Sequence, residues 1–514
     1  MTLFSASSAL IKRSKKGWRY PVTLFLFLST NILLAGCTMA PKYHRPAASV
    51  APQWPKSAAL PAADNTSMKP HPMAADLGWQ DFFKDARLKA LITIAIRENR
   101  DLRSAIQAIG EAQARYRVQR ASLLPAIGGT GEVMYQQPSG KSGLSFAPGV
   151  GEDIPRFHYY SMGIGFSSYE IDIFGRIRSL SKEAAERALM QEETARGTLI
   201  TLISQVANSY IAWLADRETL NLAEESYQAA KRNLDLTQAL LDHGEASLLT
   251  VNQAETLFQQ KADLREQAKR QMAWEENNLV LLIGQPLPDN LPPPLPFGEQ
   301  NIIEDLSPGL PSDLLENRPD IRAAEHDLKA ANADIGAARA AFFPRLSLTS
   351  SVGNSSLKPS QIFTTAANTW GFQPELTVPI FNWGQNRANL RISKAERDMK
   401  ITAYQKAIQS AFRDVSNALV GRDTYRREEV ALTQAAAKAE NNWNLARLRQ
   451  TQGSDSAITM LNYEQTYYQA EYQAIQNRVA RYQNLVTLYS ALGGGVKEKA
   501  VSLDKTDKAA HSAH

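Results

Sequence analysis

Residues able to do chemistry are few in this chain, and they stand apart. The seven histidines, His44, His71, His158, His243, His326, His511 and His514, show no HExxH pair or other metal-ligand spacing. Gly140-Lys141-Ser142 matches only the end of a phosphate-binding loop, because Tyr135 stands where the first glycine is required. Gly163-x-Gly165 opens a dinucleotide-type fingerprint whose third glycine is replaced by Ser168. Ten methionines are scattered as in ordinary cores, without the grouping that copper would need. No catalytic residue, metal or cofactor is therefore expected, and the chain reads as a non-enzyme.

One position keeps a distinctive chemistry. Cys37 is the only cysteine, so no internal disulfide exists. It closes Leu34-Ala35-Gly36-Cys37, which resembles the lipobox of bacterial lipoproteins, where cleavage precedes the cysteine and acyl chains are attached to it. The residues before it fit. Lys12, Arg13, Lys15, Lys16 and Arg19 precede an apolar stretch from Val22 to Leu34, the layout of a secretory signal over residues 1–36. Thirteen helical residues rise about 20 Å, too short for a hydrocarbon core of roughly 30 Å. Thr38 follows the cysteine, whereas aspartate there signals inner-membrane retention in enteric bacteria. The resemblance thus implies the outer membrane, with the chain extending into the periplasm and outer-membrane lipid as a partner.

Taking those five charges from 57 basic residues leaves 52, matched by 52 acidic ones. A neutral mature chain has no electrostatic footprint for nucleic acid. No later stretch has 18 consecutive apolar residues, so a membrane crossing would require a β-barrel.

The elements that would position any site come from an internal repeat. With Gly175 set on Gly384, Val206 meets Val415, Asn208 meets Asn417, Gly244 meets Gly453, Ser247 meets Ser456, Thr250 meets Thr459 and Gly284 meets Gly493, all at one offset of 209. Upstream the offset is 219, where Asp101 meets Asp320, Arg120 meets Arg339 and Pro125 meets Pro344. The first repeat spans 77–284, with a helix, strands near 126–136 and 158–173, a long helix 176–243 and a helix 246–283. The second spans 320–493, with a helix, strands near 345–353 and 370–381, a long helix 385–452 and a helix 455–492. Residues 37–76 are proline-rich and read as an extended tether with little packing. Residues 285–319 link the repeats, and 494–514 read as a disordered tail.

Each long helix would run roughly 100 Å. Leu220, Ala223, Tyr227, Ala230, Leu234, Thr237 and Leu241 alternate spacings of three and four, a coiled-coil seam, and Leu432, Ala436, Ala439, Trp443 and Ala446 repeat its phase. Tyr160, Met162, Ile164 and Phe166 alternate with Ser and Gly, as Trp370, Phe372, Leu376 and Val378 do with polar residues. Period two fits a membrane-barrel strand and a half-buried strand of a soluble sheet equally. Tyr135, Tyr159, Tyr160 and Trp370 are candidate interfacial anchors. Four strands do not close a barrel, so the membrane reading requires several chains.

At the helix breaks the residues resemble a known family. Gly244-Glu245-Ala246-Ser247-Leu248-Leu249-Thr250-Val251 and Gly453-Ser454-Asp455-Ser456-Ala457-Ile458-Thr459-Met460-Leu461-Asn462 resemble the two tips of the TolC-like outer-membrane efflux proteins, in the lipoprotein (OprM/NodT-like) branch. Phe174-Gly175-Arg176, Phe381-Asn382-Trp383-Gly384 and Asn317-Arg318-Pro319-Asp320 resemble that family's strand–helix corners and repeat start.

The resemblance implies a mainly α fold with membrane β. Three chains would share a twelve-stranded barrel, four strands each, continued by a periplasmic coiled-coil barrel. It implies a passive exit duct for small molecules such as drugs, with a periplasmic adaptor and an inner-membrane transporter (RND or other type) as partners. Gly453, Ser454, Asp455, Ser456, Thr459 and Asn462 would form the entrance gate. Gly244, Ser247 and Thr250 would form the outer, adaptor-docking tip, and Gly175 and Gly384 the strand–helix corners. Thr250 replaces a common aspartate, and Asn462 stands where an acid is frequent, which weakens a charged-ring gate. Asp455 with Arg447 or Arg449 makes either an inter-chain latch or solvated charges on a helix end. The alternatives are a lipid-anchored periplasmic scaffold without a pore, or a channel for type I protein secretion.

Overall fold

The computed structural model describes residues 38–48, 50–51, 54, 74–137, 157–304, 306 and 311–494. Cys37, the signal segment, most of the proline-rich stretch, the loop 138–156 and the tail past 494 lie outside the described residues. In chain order the elements are α1 (Trp79–Phe82), α2 (Ala86–Glu98), α3 (Arg100–Ala121), β1 (Gly128–Gln136), β2 (Phe157–Ile171), α4 (Arg176–Asp242) and α5 (Leu248–Ile283). There follow α6 (Leu314–Asn317), α7 (Pro319–Ala340), β3 (Arg345–Ser356), β4 (Asn368–Thr377), α8 (Gln385–Thr451) and α9 (Ala457–Ala491).

The two long helices, α4 and α8, have 67 residues each. At 1.5 Å per residue each runs about 100 Å. Strand ends differ from the sequence expectation for local reasons. β2 stops at Ile171 because Asp172 turns to cap α4, accepting from the amides of Ile177 and Arg178 at 3.1 and 2.9 Å. β4 stops at Thr377, before Pro379, which has no N–H for a ladder. The β3–β4 loop is shorter than 354–369, since Asn354 pairs with Asn368 and its amide donates to the Ile362 carbonyl at 2.7 Å.

Spatially the chain forms two compact units, and each draws on both repeats. One holds the N-terminal residues to His44, Ala114–Ala185 and Lys329–Asp398, and contains the sheet. The other holds Arg45–Gln113, Glu186–Leu328 and Met399–His514 and is helical. Its core gathers Phe82, Phe83, Leu88, Ile92, Ile203, Ile211, Leu214 and Tyr489, with Phe82 and Tyr489 stacked at 4.1 Å. At its centre the buried Asp85 caps α2 and also accepts from the Tyr210 hydroxyl at 2.8 Å and the Leu295 amide at 3.1 Å. One carboxylate thus ties α2, α4 and the inter-repeat linker together. α4 is, among the described residues, the helix long and apolar enough to cross a membrane by composition. Its Ile200, Ile203, Val206, Ile211 and Leu214 are instead buried in protein.

The expected seams face inward: Ala230, Thr237, Ala436, Ala439 and Ala446 are buried. Each repeat also closes on itself in the same way. The Asn99 amide donates to the Leu282 carbonyl at 2.8 Å, and at the equivalent position Arg318 donates to the Ala491 carbonyl at 3.0 Å.

The reading of residues 37–76 as an unpacked tether is corrected for its beginning. Asn332 donates to the Pro41 carbonyl at 2.8 Å, and Arg339 to the Met39 carbonyl at 3.1 Å. Trp54 stacks on Phe412 with centroids 4.9 Å apart. Proline removes backbone donors but leaves carbonyls free, and side chains of a distant helix take them up.

Among the described residues six glycines have positive φ, in three repeat-equivalent pairs: Gly175 and Gly384, Gly244 and Gly453, Gly284 and Gly493. A Cβ at Gly244 would meet nothing, whereas at Gly284 it would collide with the Glu98 carbonyl. Gly244→Ala should therefore cost about 1–2 kcal/mol, the left-handed penalty alone. Gly284→Ala should cost clearly more, and paired thermal melts in detergent measure the difference.

Candidate functional site

The sheet is fully antiparallel in the order β1-β2-β3-β4. Its register sorts side chains into two unlike faces. One carries Val133, Tyr135, Tyr160, Met162, Ile164, Phe166, Tyr169, Ile171, Leu346, Leu348, Val352, Trp370, Phe372 and Leu376. The other carries Thr130, Glu132, Ser161, Gly163, Gly165, Ser347, Thr349, Ser351, Gly353, Gln373 and Glu375. The apolar face is open: Ile164 is 61% exposed, Val352 63% and Trp370 79%. No water-facing sheet arranges its surface this way, but a lipid-facing one does.

The polar face is crowded at its glycines. A Cβ at Gly163 would approach the Val352 carbonyl to 2.9 Å, and one at Gly165 or Gly353 would strike the backbone of the adjacent strand. Glycines crowd in this way at the tight bend of a barrel, on its inner side. An irregularity between Phe166 and Tyr169, with Ser168 at φ 53°, keeps the apolar alternation on one face through the bend. Of the four aromatic residues read as anchors, Tyr135 and Tyr160 group near the hairpin end, 6.4 Å apart. Trp370 sits mid-face in the row of Ile164 and Val352, and Tyr159 falls on the polar face opposite Met134.

The strand–helix corners are built on left-handed glycine. At the first, Gly175 has φ 73° and its carbonyl accepts from the Ser179 hydroxyl at 2.6 Å. Arg176 pairs with Glu170 at 2.6 Å, and Arg178 with Asp172 at 3.0 Å. At the second, Gly384 has φ 85° and Asn386 donates to the Ala341 carbonyl at 2.8 Å.

Both helix tips share one construction. Gly244 donates to the Leu241 carbonyl at 2.9 Å and Glu245 to Leu240 at 2.8 Å; Gly453 and Ser454 donate to Gln450 and Arg449, each at 2.9 Å. These bonds end each helix in a Schellman motif. Ser247 then caps α5 by accepting from the Thr250 amide at 3.2 Å, and Ser456 caps α9 through Thr459 at 3.2 Å. The Thr250 hydroxyl lies 2.9 Å from that of Ser247, so threonine completes the cap where an acid was expected. Asp455 meets Arg449 of its own chain at 3.1 Å, while Arg447 lies over the Trp443 ring at 5.5 Å. Asn462 is exposed, as are Leu248, Leu249 and Ile458. Gly244 and Ser247 lie in one turn and Gly453 to Ser456 in the other, while Thr250, Thr459 and Asn462 lie on the helices that follow.

Buried charges within the helical unit escaped the sequence reading. Glu464 is 8% exposed, and burial raises its pKa against the opposing pull of Lys261 and Arg232. Burial lowers the pKa of Lys261, which lies over the Tyr468 ring at 5.6 Å. Its repeat mate Glu255 is exposed, so residue type alone gave no signal. Burial and the neighbouring Glu275 push the Asp216 carboxyl up to about 6, with Gln271 opposing. Among the described residues no group of three or more His, Cys, Asp or Glu side chains is gathered for a metal.

Two outcomes follow. A carboxyl raised on folding destabilises wherever it is ionised in both states, so Asp216→Asn should raise the melting temperature at pH 8, with the gain fading as the pH falls through about 6. Val352→Arg, on the apolar face, should cost about 2–4 kcal/mol in folding into bilayers, and Ser351→Arg much less. Urea titrations in vesicles measure both.

Comparison with known proteins places these features. The chain matches the family model described as "Outer membrane efflux protein" over residues 91–285 and 310–494, most of the first repeat and all of the second. It is 38% identical over 470 residues to the probable efflux pump outer membrane protein TtgC of Pseudomonas putida, covering 91% of this chain and 95% of that one. Outer membrane protein OprJ of Pseudomonas aeruginosa is equally similar, 38% over 470 residues with the same coverage, 91% and 95%. Among solved structures, the open state of the MtrE outer membrane channel of Neisseria gonorrhoeae superposes with a TM-score of 0.80 at 35% identity, over 90% of this chain and 99% of that one. The chain belongs to the outer membrane efflux protein family, the outer-membrane channels of efflux pumps.

Proposed function

We propose that three copies of this chain pool their strands into one twelve-stranded barrel and serve as the exit duct of a tripartite efflux pump. The observation that carries this reading is the sheet: an exposed apolar face, a polar face crowded at its glycines, and, among the described residues, β1 and β4 each paired on one side only. An unpaired strand edge in hydrocarbon leaves each backbone group several kcal/mol short, so other copies must supply partners. The duct is passive, and an inner-membrane transporter drives flow through a periplasmic adaptor. Similar proteins are named for antibiotic, toluene and solvent efflux, which supports small molecules as cargo.

Within that reading, the turn from Gly453 to Asn462 forms the entrance gate. The turn with Gly244, Ser247 and Thr250, flanked by exposed Leu248 and Leu249, forms the docking rim. Cys37 carries the acyl chains of an outer-membrane lipoprotein.

Purified protein should run as a trimer in native mass spectrometry and open discrete conductance steps in planar bilayers. A monomer soluble without detergent refutes the barrel. Cysteines introduced at Ser454 or Asp455 should let cadmium block conductance while the trimer still assembles. Unchanged conductance would place the gate elsewhere.

A further inference from the structure

Helix α4 carries a polar strip along its most apolar stretch. Leu202, Ile203, Val206, Ala207 and Tyr210 are buried in the core of the helical unit. Thr201, Ser204, Gln205 and Asn208 follow each other at helical spacing and share the remaining face. Threonine in a helix ordinarily returns its hydroxyl to the backbone one turn earlier, and Thr194 and Thr198 do so at 2.9 and 3.1 Å. Thr201 and Ser204 do not. Among the described residues no protein group hydrogen-bonds to the side chains of these four, and Oδ1 of Asn208 is buried without a donor.

The strip forms one wall of a cleft of about 320 Å³ within the helical unit; the start of α7, one turn of α8 and the end of α9 supply the rest. There Arg318 holds Asp320 through Nε at 3.0 Å and Nη2 at 2.7 Å, and its Nη1 donates to the Ala491 carbonyl at 3.0 Å. Asp414 is taken by Arg413 at 2.6 Å. Each charge at the cleft thus has its counter-charge. Thr487 and Ser490 donate to carbonyls of α9 at 2.8 and 3.0 Å and keep oxygen lone pairs free to accept.

The internal repeat supplies a control. Gly197, Ser204 and Ser490 leave the cleft its room, and the equivalent positions of the other repeat hold Lys406, Arg413 and Leu281. Asn417, the mate of Asn208, is exposed. The cleft is therefore no by-product of the plan that the repeats share.

We propose that this cleft binds a neutral saccharide of one or two rings. An ion would find no charge without a partner, and an apolar ligand would leave the four side chains of α4 unpaired. A sugar presents hydroxyls that donate and accept in turn, which amides, hydroxyls and the outer oxygens of paired carboxylates can all answer. Small apolar surfaces at Ile200, Pro319 and Ala491 suit the C–H face of a ring. At about 320 Å³ the cleft stands at the small end of ligand sites, roughly 300–1,000 Å³, which limits the ligand's size. Thr201 and Gln205 are exposed, so the ligand enters from their side.

Titration calorimetry on the purified full chain tests this. The detergent is an amine oxide, because maltosides carry a sugar headgroup of their own. Maltose, cellobiose and N,N′-diacetylchitobiose are the probes, with inorganic phosphate and putrescine as charged controls. At least one disaccharide should bind, and neither ion should. Ser204→Arg, which gives the cleft the residue of the other repeat, should abolish the binding. Asn208→Leu should weaken it about tenfold and Gln205→Ala about fivefold, as the loss of one hydrogen bond implies. Thermal melts identify any variant that fails to fold, and Gln205→Ala, on the exposed side, decides the matter if the buried changes do. Binding of none of the three disaccharides overturns the proposal. So does disaccharide binding that folded variants leave unchanged, or phosphate or putrescine binding that they abolish.

Discussion

A β-sheet edge placed in hydrocarbon is the constraint on which this molecule turns. Water satisfies the backbone at an edge in solution, and in lipid nothing does. The four strands leave two such edges, and their apolar side chains point away from any core of the same chain. A single copy is therefore an incomplete object in the membrane. Its polar face carries glycines where the strands crowd most closely, as the inner side of a closed barrel requires. In the helical unit the logic is conventional: a buried core, capped helices and seams of small residues stabilise each copy before any partner arrives.

Duplication explains how one chain builds two such long elements from one plan. Each repeat supplies a 67-residue helix and returns along it with a second helix of 36 or 35 residues. The returns are fixed by left-handed glycines at equivalent steps, so the chain reverses at set points. Where the copies differ, the difference is informative. Glu464 is buried against Lys261 while Glu255 is exposed, and Glu325 has a partner in Arg45 where Ile106 has no charge to offer.

Much of this was legible in the sequence, because periodicity and punctuation are local. Glycine and proline in step gave the repeat, and three-four spacing gave the seams. Period-two alternation gave the strands but left open what covered them; the register answered by putting most large apolar side chains on one exposed face, with Met134 and Tyr159 on the other. β1 shows no alternation in sequence, since Gly128, Gly129 and Gly131 carry no side chain, yet it pairs with β2 over nine residues. Tyr159 was misplaced because residue type was read without its phase. The docked residues after position 37 were invisible for a different reason. Their partners lie about 280 residues away, and a proline-rich stretch carries no periodic sign that its carbonyls will be used.

The two tips share a further property. A helix-ending glycine and a capping serine stand three residues apart, and together they fix the backbone of the turn at both ends. Between them lie only two residues, Glu245-Ala246 in one copy and Ser454-Asp455 in the other. Neither pair is needed to stop or start a helix through its side chains. The turn is thus a rigid cassette with a two-residue insert that can drift in charge and size without disturbing the frame.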